Sequence, residues 1–243
     1  MQKSSIEWLQ GGMVWNPTTG CSKVSAGCKN CYAEAIAKRF WGERKFADVR
    51  CHPERLDQPA KVKKPQRVFV DSMSDLFHKD VPLDFILRVW MVMGYAPQHT
   101  FIVLTKRPER MKNFITNWLP GAWGLATMSL RLLEKPIPNV WLGVSVEDQK
   151  TADERIPLLL QTPAAKRIVS VEPMLERIEY DWSKLDWVIV GGESGPGARP
   201  HPNHKDVLHL ANQCVKAGVP FFLKQMWGAK MPYLAGQIWD QTP

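Results

Sequence analysis

The amino-acid sequence predicts an α/β fold, in the form of a (β/α) barrel or partial barrel of about six to seven parallel strands. Short apolar runs alternate with stretches of helical apolar spacing, an order typical of a parallel sheet buried on both faces. Polar residues follow each apolar run, and barrel enzymes place their active sites at this carboxyl-end rim. The length of 243 residues and the apolar content of 44% suit a single domain over residues 1–243 with a sizeable core.

The first part of the chain is expected to hold one brief strand and one helix. Met13–Trp15 is the candidate strand, and it leads into a cysteine-rich loop. A helix over residues 33–41 follows that loop. Residues 42–66 are predicted to be an irregular connection, because Pro53, Pro59 and Pro65 interrupt regular structure.

From Arg67 onward the strand–helix order repeats regularly. The pattern predicts parallel strands whose carboxyl ends face one mouth. The predicted strands are residues 68–70, 101–104, 140–145, 167–171, 187–190 and 221–223. The predicted helices are residues 83–93, 109–119, 150–161 and 205–217, and residues 228–243 are expected to form a short tail or hairpin.

The N-terminal loop carries three of the five cysteines, Cys21, Cys28 and Cys31, with the spacing C-x6-C-x2-C. Gly20 and Gly27 allow the backbone to bend before the first two thiols, so the loop can aim three thiolates at one point. No fourth ligand is obvious in the loop. Three thiolates suit an iron–sulfur cluster with one iron left open, whereas a closed zinc site needs four ligands.

A structural zinc site is the alternative interpretation of these cysteines. Cys51 or His52 would then supply the fourth ligand, and the chain would be a zinc-stabilised nucleic-acid-binding protein without catalysis. The net charge of +8 permits an anionic partner of this kind. Against this alternative, the C-x6-C gap is unusual for zinc and no second C-x2-C is present. No role is assigned to Cys214.

Polar residues at the predicted strand ends form the candidate site. One or two such residues could be helix caps, but six polar strand ends that include acids and bases indicate a converging site. Gly191 and Gly192 are expected to let backbone approach a ligand closely, with exposed amides as donors. The candidate residues are Ser72, Asp75, Lys106, Arg107, Glu147, Ser170, Glu172, Gly191, Gly192, Glu193 and Ser194.

The motifs of the chain resemble those of a phage-associated family of uncharacterised radical S-adenosylmethionine-like proteins. The resemblance rests on WNP-x2-GC-x6-C-x2-CYAE, followed in order by DSMSDLF, LTKRPER, LGVSVED, SVEP and VIVGGESGPGARP. It extends from about Trp15 to Trp227. The wider group of radical enzymes uses C-x3-C-x2-C and places its GGE segment after the second strand. This chain departs from that pattern in both respects.

The resemblance implies a [4Fe-4S] cluster on Cys21, Cys28 and Cys31, which would cleave S-adenosylmethionine to a 5′-deoxyadenosyl radical. Acids on the rim would then contact the cofactor, and Lys106 and Arg107 would pair with its carboxylate or with a substrate phosphate. We expect catalytic roles for Glu172, Lys106 and Arg107. Cofactor-binding roles are expected for Ser72, Asp75, Glu147, Ser170, Gly191, Gly192, Glu193 and Ser194.

Expectations about partners and compartment are coarser. The phage association suggests a nucleotide or a nucleic acid as the substrate, and the implied chemistry needs an external electron donor and allows for a partner protein. The chain has an odd number of cysteines and no apolar signal segment, which favours a reducing cytoplasm. No run of about 18 uncharged apolar residues is present, so no membrane span is expected.

Overall fold

The structure is a computed structural model that describes residues 1–121, 136–194 and 197–243. Within these ranges the strands are short and most of them lie in one sheet. In chain order they are β1 Gln2–Lys3, β2 Met13–Trp15, β3 Thr18–Thr19, β4 Arg50–Cys51, β5 Arg67–Val70, β6 Thr100–Thr105, β7 Val140–Val146, β8 Arg167–Val171, β9 Trp187–Val190, β10 Phe221–Leu223, β11 Gln225–Met226 and β12 Ala229–Lys230.

The central sheet has eight strands in the order β1-β2-β5-β6-β7-β8-β9-β10. All neighbours from β2 to β10 are parallel, and only β1 runs antiparallel, against β2. The predicted α/β fold with its parallel strands is therefore confirmed. Among the described strands β1 and β10 are not paired with each other, so the sheet is a partial barrel. The antiparallel strand β1 was not predicted.

The helices also follow the predicted order. They are α1 Tyr32–Phe40, α2 Leu83–Gly94, α3 Pro108–Asn113, α4 Leu119–Gly121, α5 Gln149–Leu160 and α6 His204–Ala217. The helix predicted over residues 109–119 is interrupted, because a π-helical turn at Phe114–Trp118 separates α3 from α4. Asp148 caps the start of α5 by accepting a hydrogen bond from the Thr151 amide, 2.8 Å away. No helix within the described ranges is long and apolar enough to cross a membrane.

The sheet separates two apolar clusters, and side chains alternate between them along each strand. In β9, Val188 and Val190 belong to the larger cluster, which also contains the buried residues of the helices. Trp187 and Ile189 point to the barrel interior instead. The residues buried in this interior cluster are Trp8, Leu9, Ile102, Ile168, Trp187, Ile189 and Phe222.

The C-terminal segment forms the predicted hairpin and tail. Strands β11 and β12 pair as a two-stranded hairpin, and the chain then returns along β10. The Leu223 amide donates to the Trp239 carbonyl over 2.8 Å, and the Gln241 amide donates to the Phe221 carbonyl over 3.2 Å. The tail therefore covers the backbone groups of the β10 edge.

Candidate functional site

Four charged side chains meet at the carboxyl ends of neighbouring strands. Alternate side chains of each strand point to the interior side of the sheet, and Leu104, Ser170 and Phe222 do so. Lys106, Glu172 and Lys224 follow them by two residues and therefore lie on the same side. Glu147 follows β7 in the same way. The contacts agree with this register, because Lys106 Nζ bonds to the Glu147 carboxylate and lies 3.3 Å from the Glu172 carbonyl oxygen. The strand ends therefore converge, as the sequence predicts.

Glu147 is fully buried and collects positive charge around it. Its carboxylate accepts hydrogen bonds from Lys106 and from Arg155 Nη1, which is 3.1 Å from Oε1. Ser25 Oγ of the cysteine loop donates to the same oxygen over 3.0 Å. Two cations thus face one carboxylate, so this part of the mouth favours further negative charge.

Of the predicted acids Asp75, Glu147, Glu172 and Glu193, only Glu172 has a buried oxygen to which no described residue donates. Its Oε2 lies 3.1 Å from Lys224 Nζ. Its Oε1 is buried and has no hydrogen-bond partner within the described residues. A Cβ added to Gly191 would lie 3.3 Å from the Glu172 carboxyl carbon, so the glycine leaves room beside this group. A buried acceptor without a donor is the place where a ligand ammonium or hydroxyl group would be stabilised.

Asp75 and Arg107 connect the rim to Cys21. Asp75 is buried, and its two oxygens accept from Thr105 Oγ1, the Phe77 amide, the Lys106 amide and Arg107 Nη1. Arg107 in turn lies 3.5 Å from Cys21 Sγ and donates to the Ser22 carbonyl over 2.9 Å. Because all four acceptor positions of Asp75 are used, this acid acts here by orienting Arg107.

The three loop cysteines are free and half-buried. Burial raises the pKa of the Cys21 thiol to about 11, while the neighbouring Arg107 acts to lower it. In the described ranges no three His, Cys, Asp or Glu side chains are grouped to hold one metal ion. The donor set nevertheless fits a [4Fe-4S] cluster in its chemistry, since one loop carries three half-buried thiols and Arg107 contacts the sulfur of Cys21.

The loop itself is seated on Glu147. A Cβ added to Gly27 would lie 2.3 Å from Glu147 Cγ, so this backbone comes as close to the acid as glycine allows. Ser25 Oγ lies 3.9 Å from Cys28 Sγ while it donates to Glu147. Glu147 at the end of β7 therefore fixes the distance between the cysteine loop and the strand ends.

Glu193 and Arg199 fasten the segment after β9 to the same loop. Glu193 Oε1 accepts from the Arg199 side chain, with Nε at 2.9 Å, and Oε2 accepts from the Arg199 amide and from Asn30 Nδ2, both at 2.8 Å. Arg199 Nη2 also donates to the Ala26 carbonyl. Burial acts to raise the pKa of Glu193, but these hydrogen bonds lower it to about 2. We call this the Glu193–Arg199 clasp.

The glycine pair before the clasp differs from its expected role. The Gly191 amide donates to the Val171 carbonyl, and the Gly192 amide donates to the Gln225 carbonyl. The expectation of exposed amide donors is therefore wrong. The glycine instead allows another side chain of the protein to come close, because a Cβ on Gly192 would lie 2.7 Å from the His201 ring. Residues 195 and 196 of the GGESGPGARP motif lie outside the described residues.

The three candidate serines are placed differently. Ser72 donates to Asn16 Oδ1, and its carbonyl accepts from the Tyr32 hydroxyl over 2.6 Å. Ser170 is buried in β8, on the interior side beneath Glu172. Ser194 is exposed. Ser72 is therefore held by polar contacts and Ser170 is enclosed by the sheet, whereas Ser194 is open to solvent.

Cys51 and His52 lie apart from the three thiols. Cys51 belongs to β4, pairs with Thr18 and packs on the larger apolar cluster. His52 uses Nε2 with Thr19 Oγ1, at 2.7 Å, and Nδ1 with Glu54 Oε1, at 3.0 Å. Neither ring nitrogen is left for a metal, which disfavours His52 as a zinc ligand. Cys214 is buried in α6, and no role is assigned to it.

Asp71 is a buried acid that the sequence did not single out for the site. It follows β5 with φ 61°, in the left-handed region, and accepts from the Thr18 amide and hydroxyl over 3.0 and 2.9 Å. Burial raises the pKa of Asp71 to about 7 even though these hydrogen bonds act to lower it. Its geometry fixes the turn that brings Ser72 and Met73 to Asn16.

Several partners of the predicted residues were missed. Lys224 follows the last strand directly, so the rule that found Lys106 would have found it too. Arg199 stands inside a quoted motif without a role. Arg155 lies on the buried face of α5 between Ala152 and Leu159, so its helical spacing could have indicated a buried cation. Ser25 and Asn30 have no sequence signal of their own, because their partners Glu147 and Glu193 are far away in the chain.

Comparisons with known proteins agree with this architecture. A family model with the description "Protein of unknown function (DUF5131)" matches residues 3–243. The search of curated proteins found no match. A solved structure of a spore photoproduct lyase double mutant, with bound AdoMet and dinucleoside spore photoproduct, is similar with a TM-score of 0.50 and 11% identity. The match covers 84% of this chain and 72% of that chain, and at this identity it shows the fold alone.

Proposed function

Because the chain belongs to the family described as "Protein of unknown function (DUF5131)", we propose its function from the site, as a radical S-adenosylmethionine-type enzyme. A [4Fe-4S] cluster would be held by Cys21, Cys28 and Cys31, and S-adenosylmethionine would lie between the cysteine loop and the strand ends. The fold likeness to a lyase solved with bound AdoMet supports the choice of this cofactor.

One observation carries the proposal. The cysteine loop lies over the carboxyl ends of the parallel strands, where Arg107 contacts Cys21 and the Ser25–Glu147 hydrogen bond holds the loop beside Cys28. The mouth beneath it contains the unpaired Glu172 Oε1 and the cations Lys106 and Lys224. Thiols, cations and an unused acid thus share one rim.

Each charged side chain of the site has its own proposed role. When bound, the cluster would supply the electron that cleaves the sulfonium bond of S-adenosylmethionine. Glu172 would accept a hydrogen bond from the cofactor ammonium or ribose, since no described residue donates to its Oε1. Arg107 would stabilise the Cys21 thiolate, and Lys106 or Lys224 would pair with a carboxylate. The interior cluster around Trp187 closes the mouth from below and excludes water.

Anaerobic iron–sulfur reconstitution tests this proposal directly. The protein should gain the absorption of a [4Fe-4S] cluster, and the reduced sample should show a spin-resonance signal that changes when S-adenosylmethionine is added. The reduced holoprotein should then release 5′-deoxyadenosine slowly without any substrate. A fully reconstituted and reduced sample that neither binds nor cleaves S-adenosylmethionine would contradict the proposal.

A further inference from the structure

A second cleft lies beside the mouth, along the β1 edge of the sheet. It has a volume of about 640 Å³, which is in the range of clefts that hold nucleotide-sized ligands. Its walls include Asn16, Trp41, Arg44, Arg55 and Met73. Asn16 and Met73 follow the carboxyl ends of β2 and β5, so the cleft begins at the rim of the candidate site.

The charge in the cleft is positive. Two guanidinium groups, those of Arg44 and Arg55, line it, and none of its described lining residues carries a carboxylate side chain. Each arginine faces an acid outside the lining, Asp48 at 3.5 Å from Arg44 Nε and Glu54 at 3.7 Å from Arg55 Nε, and both acids are solvent-exposed. Burial and then the charge of Arg50 lower the pKa of Arg44, with Arg55 adding to the effect. The cleft therefore carries positive charge that an anion would compensate.

The donors of the cleft are held in place. Arg44 Nη2 donates to the Thr19 carbonyl and hydroxyl, both at 3.0 Å, and to the Asp48 carbonyl at 2.6 Å, while its Nε lies 3.5 Å from Asp48 Oδ2. Its guanidinium lies 4.1 Å from the centre of the Trp41 ring, and Arg55 Nη1 donates to the Asn16 carbonyl over 3.0 Å. A fixed guanidinium and an aromatic ring are the pair that binds a phosphate and stacks a base.

The cleft is also continuous with the cysteine loop. Its wall residue Asn16 accepts from Ser72, whose carbonyl accepts from Tyr32, the residue after Cys31. On the other side Arg44 holds the Thr19 carbonyl, two residues before Cys21. The wall of the cleft is therefore hydrogen-bonded to residues on both sides of the cysteine loop, which places the cleft next to the mouth.

We propose that this cleft binds the phosphodiester backbone of a single-stranded nucleic acid and leads one nucleotide into the mouth. The delivery to the mouth rests on the proposed function, whereas the binding does not. Arg44 and Arg55 contact phosphates, and Trp41 stacks with a base. The ligand class follows from positive charge, an aromatic wall and the absence of carboxylates from the described lining.

Fluorescence anisotropy with labelled single-stranded DNA and RNA of about 12 nucleotides tests this binding, a length that one groove of this kind can hold. Arg55→Gln should raise Kd about tenfold or more, as expected for a lost charge-assisted hydrogen bond. It should also reduce the slope of log Kd against log salt by about 0.7 for each lost phosphate contact. Trp41→Leu should weaken binding and leave this slope unchanged, because stacking releases no counterions.

Arg88→Gln is the matched control, since it removes one exposed arginine charge from α2, away from the cleft. Competition with adenosine monophosphate separates a mononucleotide ligand from a polymer, and stronger competition by the monomer than by an oligonucleotide would overturn the backbone assignment. Equal weakening by Arg88→Gln and Arg55→Gln, or unchanged binding in Arg55→Gln, would also overturn it.

The two proposals fail separately. Arg55 lies outside the cysteine loop and the strand-end acids, so Arg55→Gln should release 5′-deoxyadenosine at the wild-type rate when no nucleic acid is present. Binding is measured on reconstituted protein and on protein without a cluster. Intact nucleic-acid binding with no cofactor cleavage would refute only the radical function, and intact cleavage without cleft-dependent binding would refute only the cleft.

Discussion

At the scale of single residues, the three loop thiols should differ from the other two cysteines. Replacing Cys21, Cys28 or Cys31 by Ala should abolish cluster assembly, because each thiolate would ligate one iron. Cys51→Ala and Cys214→Ala are the controls, since these thiols lie in β4 and in the buried face of α6. Iron and sulfide content after reconstitution is the measurement. Iron retained in the three loop variants but lost in Cys51→Ala would contradict the assignment.

Glu147 should matter to folding as well as to the site. Glu147→Gln leaves Lys106 and Arg155 beside a neutral group in a fully buried position. Breaking such a buried ionic network should lower the free energy of unfolding by about 3–5 kcal/mol. Urea denaturation measures this change, with the exposed Glu43→Gln as the control. A loss of less than about 0.5 kcal/mol, the range of surface substitutions, would refute the role.

Asp71 should impose a pH dependence of its own. Its pKa is raised to about 7 in the folded protein by burial, so the folded state keeps a proton that the unfolded chain loses near pH 4. Its contribution to stability is therefore complete below about pH 4 and is lost as the pH rises through 7. Relative to Asp71→Asn, the wild type should lose up to about 4 kcal/mol over this window.

Urea midpoints of both proteins between about pH 4.5 and 8 check this expectation. Asparagine suits the comparison because it also tolerates the left-handed backbone that Asp71 adopts. Glu193 of the clasp has a pKa lowered to about 2, so its contribution to stability is lost as the pH falls rather than as it rises. Both proteins contain Glu193, so it does not affect the difference between them. Parallel midpoint curves for the two proteins would show that Asp71 does not titrate in this window.

At the scale of elements, the seat of the cysteine loop can be tested with one methyl group. Gly27→Ala would place a carbon 2.3 Å from Glu147 Cγ, and the buried ion pairs prevent that acid from moving aside. The loop must therefore rise from the mouth, and cluster incorporation should fall severalfold. Ala26→Ser is the control, because it adds one atom to the exposed neighbour. Equal iron content in wild type and Gly27→Ala would show that the loop is not seated this way.

The elements were predictable where the local pattern is strong. Strands β5 to β10 were found within one or two residues, because each is an apolar run that ends in polar residues. Strand β1 was missed because Gln2 and Lys3 are exposed and carry no apolar pattern. The clasp and the Glu147 network were missed for another reason. The contacts that tie them to the cysteine loop join residues far apart in the chain, Asn30 with Glu193 and Ser25 with Glu147, and no local signal pairs these residues.

At the scale of the whole molecule, Trp8 should be a major source of stability. It is buried in the barrel interior, with its ring 5.2 Å from Phe69 and 5.9 Å from Trp187. Trp8→Ala should lower the free energy of unfolding by about 3–5 kcal/mol, the usual cost of removing a buried aromatic ring. Tyr233→Ala, at a 69% exposed residue, should change it by less than about 0.5 kcal/mol. Similar urea midpoints for the two variants would contradict the interior packing.

The position of Trp8 also has a consequence for synthesis on the ribosome. The segment that fills the interior is made before its partners Trp187 and Phe222, which leave the ribosome much later. Until then Trp8 and Leu9 are exposed to solvent, and exposed apolar side chains bind chaperones and promote aggregation. A ribosome-stalled chain that ends before β9 should therefore be degraded by proteases at its N-terminal segment, whereas a chain released after its last strand should resist them.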